Sequence, residues 1–226
     1  MTTSGTYAFN PSLGEMVLYA YNNIGIRPTS LLQEHMQFAR MATNMMLSRW
    51  ANQGVNLWKV DLVTVPLVAG NSTYSVDPST VMILDAYVVV AGVDRIITPI
   101  SRTEYASFPY KEQEGTPIVY WFDRLISPTI TLWAVPDGVS ATELKYYRVY
   151  QIQDANLQGG QTVDIPYAWL EAFADGLIYR VARAWQPAMA EKLKMQADES
   201  YSIAAMRNTE NAPTYIAPML SSYWRQ

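Results

Sequence analysis

The chain has 226 residues with a formal net charge of −4, and 50% of its residues are hydrophobic. This length and apolar content allow a sizeable buried core, and the acidic balance leaves no excess of cations for phosphates, which argues against tight nucleic-acid binding. The chain has no cysteine and one histidine. These counts exclude disulfides, thiolate metal sites and sites with several imidazole ligands, so no cofactor is expected.

Charged residues make up 16% of the chain and aromatic residues 12%, whereas about 25% of the residues in an average soluble domain are charged. A surface that is poor in charge and rich in aromatic side chains suggests that a partner covers part of it. A well-packed monomer with exposed tyrosines is the alternative interpretation of the same composition.

The N-terminal sequence MTTSGTYAF contains neither the basic segment nor the apolar segment of a secretory signal. The longest apolar run, residues 82–93, is interrupted by Asp85 and is too short to span a bilayer. We therefore expect a soluble protein without a signal peptide and without membrane contact.

Two helices are predicted in the first quarter of the chain. Ser12 and Glu15 have the spacing of a capping box, and Gly25 supplies a left-handed stop for the first helix. The second helix is predicted to run to about Asn52, with Ser30 as its cap and Thr29 as the competing cap. Apolar residues recur along it at every third or fourth position.

The second helix carries a methionine stripe and the single histidine, His35. The methionines are expected to fill a helix–helix core, although such a stripe is also typical of adaptable binding grooves. His35 is expected at the surface or at an interface rather than as a catalytic base, because no nucleophile or carboxylate lies at adjacent helical spacing. The methionines are Met36, Met41, Met45 and Met46.

Strand patterns occupy residues 60–150, separated by turns and by one short helix that Ser101 and Glu104 cap. The apolar run 82–90 is expected to be a strand covered on both faces. This middle third is predicted to be a mainly antiparallel β domain, either a sandwich or a partly closed barrel.

Helical periodicity returns at residues 164–185 and continues beyond Pro187 to about residue 208. Acids precede bases along the first of these helices, an order that suits the helix dipole; they are Asp164, Glu171, Asp175, Arg180 and Arg183. The last residues, 211–226, contain two prolines and many apolar side chains, which predicts an extended arm rather than a solvated tail.

The predicted fold class is α+β: a helical bundle from the N- and C-terminal helices, with an inserted mainly antiparallel β domain and an extended C-terminal arm. The expected domains are 1–58 with 160–210 for the bundle, 59–159 for the β domain, and 211–226 for the arm.

The sequence provides no catalytic constellation. Gly159 and Gly160 are not followed by the lysine of a phosphate-binding loop, and acidic pairs such as Glu112 and Glu114 fall in a predicted loop. We therefore expect no enzymatic activity, no catalytic or metal-binding residues and no cofactor.

Four strings in this order resemble the head-to-tail adaptor proteins of short-tailed bacteriophages, the tail tubular protein A or packaged-DNA stabilisation protein family. Together they span most of the chain. The strings are ARMATNMMLSRWANQGVNLW (39–58), YWFDRLISPTITLWAVPDG (120–138), YYRVYQIQDA (146–155) and VDIPYAWLEAFADGLIYRVARAW (163–185).

The resemblance implies a structural virion protein at the head–tail junction, assembled in the host cytoplasm. Such proteins form a twelve-fold ring (a dodecamer) under the portal protein, close the filled head and present their other face to the tail nozzle, a tail tubular protein B-like partner. Genomic DNA would pass through the ring during ejection without tight binding. The large β insertion places the chain nearer the tubular branch.

The resemblance also implies that a C-terminal segment binds the portal, and the arm is predicted to be that segment. Its isolated apolar side chains gain by burial against a partner, and its prolines lower the entropy lost on docking. Packing of the arm on its own bundle is the alternative. Its expected contact residues are Tyr215, Ile216, Met219, Leu220, Tyr223 and Trp224.

Two other functions remain open at the level of sequence. A nucleic-acid-binding virion protein would require basic clusters, which the sequence lacks, because its lysines and arginines are spread singly. A hydrolase that uses two distant carboxylates is the weaker alternative.

Overall fold

A computed structural model describes residues 3–54, 57–156 and 160–207. Helices lie at both ends of the described chain and strands lie between them, so the fold class is α+β, as predicted. The α-helices are α1 (Leu13–Asn23), α2 (Gln33–Asn52), α3 (Arg102–Ser107), α4 (Leu170–Trp185) and α5 (Pro187–Met206). The strands are β1 (Val60–Pro66), β2 (Thr73–Ser75), β3 (Thr80–Val90), β4 (Val93–Pro99), β5 (Glu114–Gly115), β6 (Val119–Asp123), β7 (Thr129–Trp133), β8 (Val135–Pro136) and β9 (Glu143–Tyr150).

The four long helices share one hydrophobic core, with α4 packed against α1, α2 and α5. Phe173, Leu177 and Val181 of α4 are completely buried, and α2 contributes Met46 and Trp50 to the same core. Each large apolar side chain buried in this way stabilises the fold by about 1.5–3 kcal/mol relative to an exposed one. Burial along α4 therefore holds the N- and C-terminal helices together.

Two of the predicted helix caps are confirmed. The Glu15 carboxylate accepts the Ser12 N–H at 2.7 Å, and the Glu15 N–H donates to Ser12 Oγ at 3.3 Å. Ser101 and Glu104 repeat both bonds, at 2.7 and 3.1 Å, at the start of α3. Gly25 follows α1 with φ of 84°, the left-handed conformation that the sequence predicts there.

The predicted start of α2 at Ser30 is wrong. Pro28–Ser30 forms a separate 3₁₀ turn, and Leu31 and Leu32 are then extended. Leu32 is the N-cap residue, and its N–H donates to Nδ1 of His35 at 3.1 Å. Proline fixes a backbone angle that suits a tight turn, so the capping-box spacing after it did not start the helix.

The strands form a seven-stranded sheet in the order β1-β9-β3-β4-β6-β7-β2, together with a small β5-β8 pair. The large sheet is antiparallel except where β4 runs parallel to β6. Tyr74 of edge strand β2 and Tyr146 of β9 belong to one core cluster, so the sheet curls around a single core. Within the described residues the edge strands β1 and β2 are not paired with each other, which makes the sheet a partly closed barrel.

The prediction that β3 is covered on both faces is wrong. Ala86 and Val88 are buried, but Leu84 is 44% exposed and Asp85 is also exposed. The register with β9 shifts between Ile83 and Ala86, which marks a β-bulge. The helical bundle does not cover the outer face of the sheet, so one face of β3 meets solvent.

Polar contacts join the bundle to the sheet. Lys59, which precedes β1, is 2% exposed and is paired with Asp164, which precedes α4. Asp164 also accepts the N–H of Gln153 at 3.0 Å. Asn44 of α2 exchanges two hydrogen bonds with the backbone of Ala155, at 2.8 and 3.1 Å. Because these partners are distant in sequence, the contacts fix the position of the ends of the sheet insertion relative to the helices.

Candidate partner-binding surfaces

The single histidine is a core residue. The His35 side chain is 8% exposed, and its ring stacks on Trp185 with centroids 4.9 Å apart. Tyr21 donates a hydrogen bond to the His35 carbonyl at 2.6 Å. The prediction of a surface or interface histidine is therefore wrong, because the later start of α2 puts His35 in the first turn, where it caps the helix from inside the core.

The described residues contain no group of three or more histidine, aspartate or glutamate side chains placed to hold a metal ion. In the same part of the chain, no helix has the length and apolar content needed to cross a membrane.

The methionine stripe of α2 divides between the core and the surface. Met46 is 2% exposed and Met36 packs against the core, whereas Met41 and Met45 are 56% and 58% exposed. The prediction that all four fill the core is wrong for Met41 and Met45. Together with Phe38, which is 37% exposed, these two side chains form an outward apolar stripe at positions i, i+3 and i+7, named here the α2 stripe.

A basic face lies beside the α2 stripe. Arg49 is one turn beyond Met45 on α2 and lies close enough to Arg180 of α4 to interact electrostatically, as does Arg183. Burial, and then the two neighbouring guanidinium groups, lower the pKa of Arg180. We call Arg49, Arg180 and Arg183 the basic face; Arg180 also lines a narrow groove between α2 and α5 with Lys194.

A larger groove lies on the other side of α5, between α5 and α1, with α4 as its floor. Two adjoining cavities of about 780 and 460 Å³ form it, and they share four lining residues. The shared residues are Tyr19, Glu171, Asp175 and Ile203. Glu15 lines one cavity and Glu199 the other, so carboxylates lie among apolar side chains along what we call the acidic groove.

Asp175 is the partly buried carboxylate of the acidic groove. Burial raises the pKa of Asp175, the nearby Glu171 carboxylate raises it further, and a hydrogen bond from Ser200 lowers it in part. Asp175 therefore carries its negative charge against the cost of partial burial near a second carboxylate.

Residues near both ends of the described chain line the acidic groove. The N-terminal segment before α1 leaves Tyr7 fully exposed and Phe9 70% exposed, and Phe9 lines the groove. Arg207, the last described residue, lines the same cavity. The predicted portal-binding residues of the arm, 211–226, lie outside the described residues.

The outer face of the sheet is a further apolar surface. Leu62 is paired with Tyr147 across β1 and β9, and Tyr87 with Ile96 across β3 and β4. Leu62 is 46% exposed and Ile96 is 77% exposed. At the tip of the β6–β7 turn, Ile126 is 95% exposed.

Sequence reasoning missed the basic face and the acidic groove as sites. Glu171 and Asp175 are one helical turn apart, as are Arg180 and Arg183, and this pattern was visible. In the sequence alone, this order of charges indicates a complement to the helix dipole. Arg49 is far away in sequence, so only the packing of α2 on α4 reveals that the bases converge.

No curated protein matches the chain at a significant level. The family model described as "SU10 adaptor protein" matches residues 22–218, which covers the end of α1, all of the sheet and both C-terminal helices. The chain thus belongs to the SU10 adaptor protein family and is a structural protein of the bacteriophage head-to-tail adaptor type.

Proposed function

We propose that this chain is a non-enzymatic adaptor that forms a twelve-fold ring between the portal and the tail nozzle of the phage, closes the filled head and leaves a channel for DNA. The family match over residues 22–218 carries the proposal. The exposed apolar side chains of α2, the N-terminal segment and the outer sheet face support it, because a protein that stays alone in solution gains nothing by exposing them.

We assign a separate role to each of the domains expected from the sequence. Residues 1–58 and 160–210 form the bundle that builds the ring wall, residues 59–159 form the β domain that meets the nozzle, and residues 211–226 form the arm. The exposed turn at Ile126 and the apolar outer face of the sheet suit the β domain to protein contacts.

The arm is the proposed portal-binding element, through Tyr215, Ile216, Met219, Leu220, Tyr223 and Trp224. A variant with both Tyr223→Ala and Trp224→Ala tests it in the full chain. Aromatic anchors at interfaces cost about 2 kcal/mol or more each when truncated. Co-sedimentation with the portal protein of the same phage should therefore fall by well over tenfold. Tyr7→Ala removes an exposed aromatic residue elsewhere in the chain and should leave portal binding unchanged.

Electron microscopy of the chain mixed with its portal protein tests the whole proposal. We expect the portal to template a ring, while the chain alone is monomeric or weakly oligomeric by analytical ultracentrifugation. A chain that neither binds the portal nor assembles on it would overturn the adaptor function.

DNA should pass without adhering, since the chain has a net charge of −4. Electrophoretic shift assays at low salt should show little affinity for duplex or single-stranded DNA. Tight binding that weakens steeply with salt would favour a nucleic-acid-binding virion protein instead.

A further inference from the structure

Opposite charges are collected on the two sides of α5. The basic face has Arg49, Arg180 and Arg183, and the acidic groove has Glu171 and Asp175. Among the described residues, none of these five forms an ion pair with a side chain of opposite charge. Arg207 also lines the acidic groove and Asp198 lines the narrow groove, but carboxylates outnumber bases in the first and bases outnumber carboxylates in the second. Each surface therefore keeps an excess of one sign, which a partner of opposite sign would complement.

We propose that the basic face and α2 stripe of one subunit dock into the acidic groove of the next, and that this head-to-tail contact builds the ring. The inference rests on the proposed adaptor function and names the surfaces through which its subunits meet.

Charge complementarity identifies a second copy as the occupant of the groove. The guanidinium groups of Arg180 and Arg183 are suited to paired hydrogen bonds with carboxylates such as Glu171 and Asp175. Both surfaces belong to the same bundle and each occurs once per described subunit. A contact between two different patches of identical chains is heterologous, and such contacts close into rings or extend into filaments.

The apolar parts of the two surfaces also correspond. The α2 stripe of Phe38, Met41 and Met45 ends one turn before Arg49, while the groove places Tyr19, Leu170 and Ile203 among its carboxylates. Aromatic, methionine and arginine side chains are enriched in protein interfaces. Docking would bury the exposed methionines that the subunit itself leaves uncovered.

Cysteine cross-linking provides the first test, because the natural chain contains no cysteine. Met45→Cys marks the α2 stripe, and Gln196→Cys marks an exposed lining residue of the acidic groove. At about 1 mM protein, which populates complexes with millimolar Kd, a short bis-maleimide should convert the double variant into a ladder of dimers, trimers and longer oligomers. Each single variant should stay monomeric, as should a control that combines Met45→Cys with Thr64→Cys on the sheet.

Charge reversal provides the second test. Arg180→Glu and Glu171→Arg, each introduced into the double-cysteine chain, should reduce association by roughly tenfold or more, because like charges then face each other. Both reversals in one chain should restore the ladder. Lys192→Glu changes the net charge by the same amount as Arg180→Glu but lies outside both surfaces, so it should leave the ladder intact. Thermal unfolding verifies that every variant is folded.

The remaining outcomes each overturn the proposal. Dimers from either single-cysteine variant would indicate a symmetric contact between like surfaces. Failure of the double variant to cross-link would exclude the contact. Protection of the cysteine at position 196 from a thiol reagent in dilute monomer would show that the chain's own C-terminal residues fill the groove. Portal co-sedimentation distinguishes failure of this inference from failure of the adaptor function. If the double-cysteine chain does not cross-link but still binds the portal, the head-to-tail contact is refuted and the adaptor function stands.

Discussion

The buried ammonium of Lys59, just before the sheet, forms an ion pair with the partly exposed carboxylate of Asp164, which leads back to α4. Lys59 lies just before β1, and Asp164 follows β9 by fourteen residues (164 minus 150). The same ammonium lies 4.5 Å from the centre of the Tyr150 ring at the end of β9. The pair thus closes the sheet insertion at its base.

Loss of Asp164 should destabilise the protein strongly. Asp164→Asn leaves the Lys59 ammonium buried without its counter-charge, for which a cost of about 3 kcal/mol is typical. Chemical denaturation should detect this change. Lys145→Met is the control, because its carboxylate partners are 3.7 and 3.8 Å away and partly exposed, and such pairs contribute about 1 kcal/mol or less. Equal effects of the two substitutions would contradict the closing role of Lys59 and Asp164.

Serine substitutions should distinguish the true helix cap from the incorrect one. Ser12→Ala removes the hydroxyl that accepts the Glu15 N–H and should cost about 1 kcal/mol. Ser30→Ala should change the unfolding free energy little, because Ser30 precedes the N-cap of α2 by two positions. The Ser12 backbone bond, and then its side-chain bond, lower the pKa of Glu15. The Glu15 contribution is therefore present at neutral pH and is lost as the pH falls through that lowered pKa. Comparable losses from both serine variants would contradict this assignment.

His35 should contribute to stability rather than to catalysis. His35→Ala removes the acceptor of the Leu32 N–H and the ring stacked on Trp185. The lost cap and the cavity together should cost about 2–4 kcal/mol. Gln37→Ala, at an exposed position of the same helix, should be nearly neutral. Thermal unfolding compares the two variants. An unchanged melting temperature for His35→Ala would indicate that the stacking and the cap contribute nothing to stability.

The Asp175 carboxylate should lower the stability of the folded protein and strengthen the proposed head-to-tail contact. Its pKa is raised, so the folded state binds a proton more tightly than the unfolded chain. The folded protein therefore loses stability as the pH rises from the ordinary value of 3.8 through the raised pKa. Asp175→Asn should therefore raise the melting temperature more at pH 7 than at pH 4, relative to the natural chain, while weakening head-to-tail cross-linking. Glu191→Gln, an exposed change on α5, is the matched control. A variant that melts lower at pH 7 would contradict the cost assigned to this carboxylate.

Local features were predictable because they depend on residues close in sequence. The Ser12–Glu15 and Ser101–Glu104 caps, the stop at Gly25 and the break before Pro187 all follow from short-range backbone chemistry. The α+β class followed from the change between helical and strand periodicity. The four strings that carry the family resemblance lie within residues 22–218, the range that the family model matches.

The exposure of individual helix residues and the charges that lie together depend on long-range contacts, so only the tertiary structure decided them. Met41 and Met46 have the same chemistry, but the packing of α2 on α4 buries one and leaves the other in solvent. Arg49 joins Arg180, although 130 residues (180 minus 49, minus one) separate them in the sequence. Periodicity in the sequence gives the direction of a side chain around its own helix, whereas the neighbour that it contacts depends on how the helices pack. The sequence alone therefore determined the helices and strands, and only the tertiary structure determined the basic face, the acidic groove and the α2 stripe.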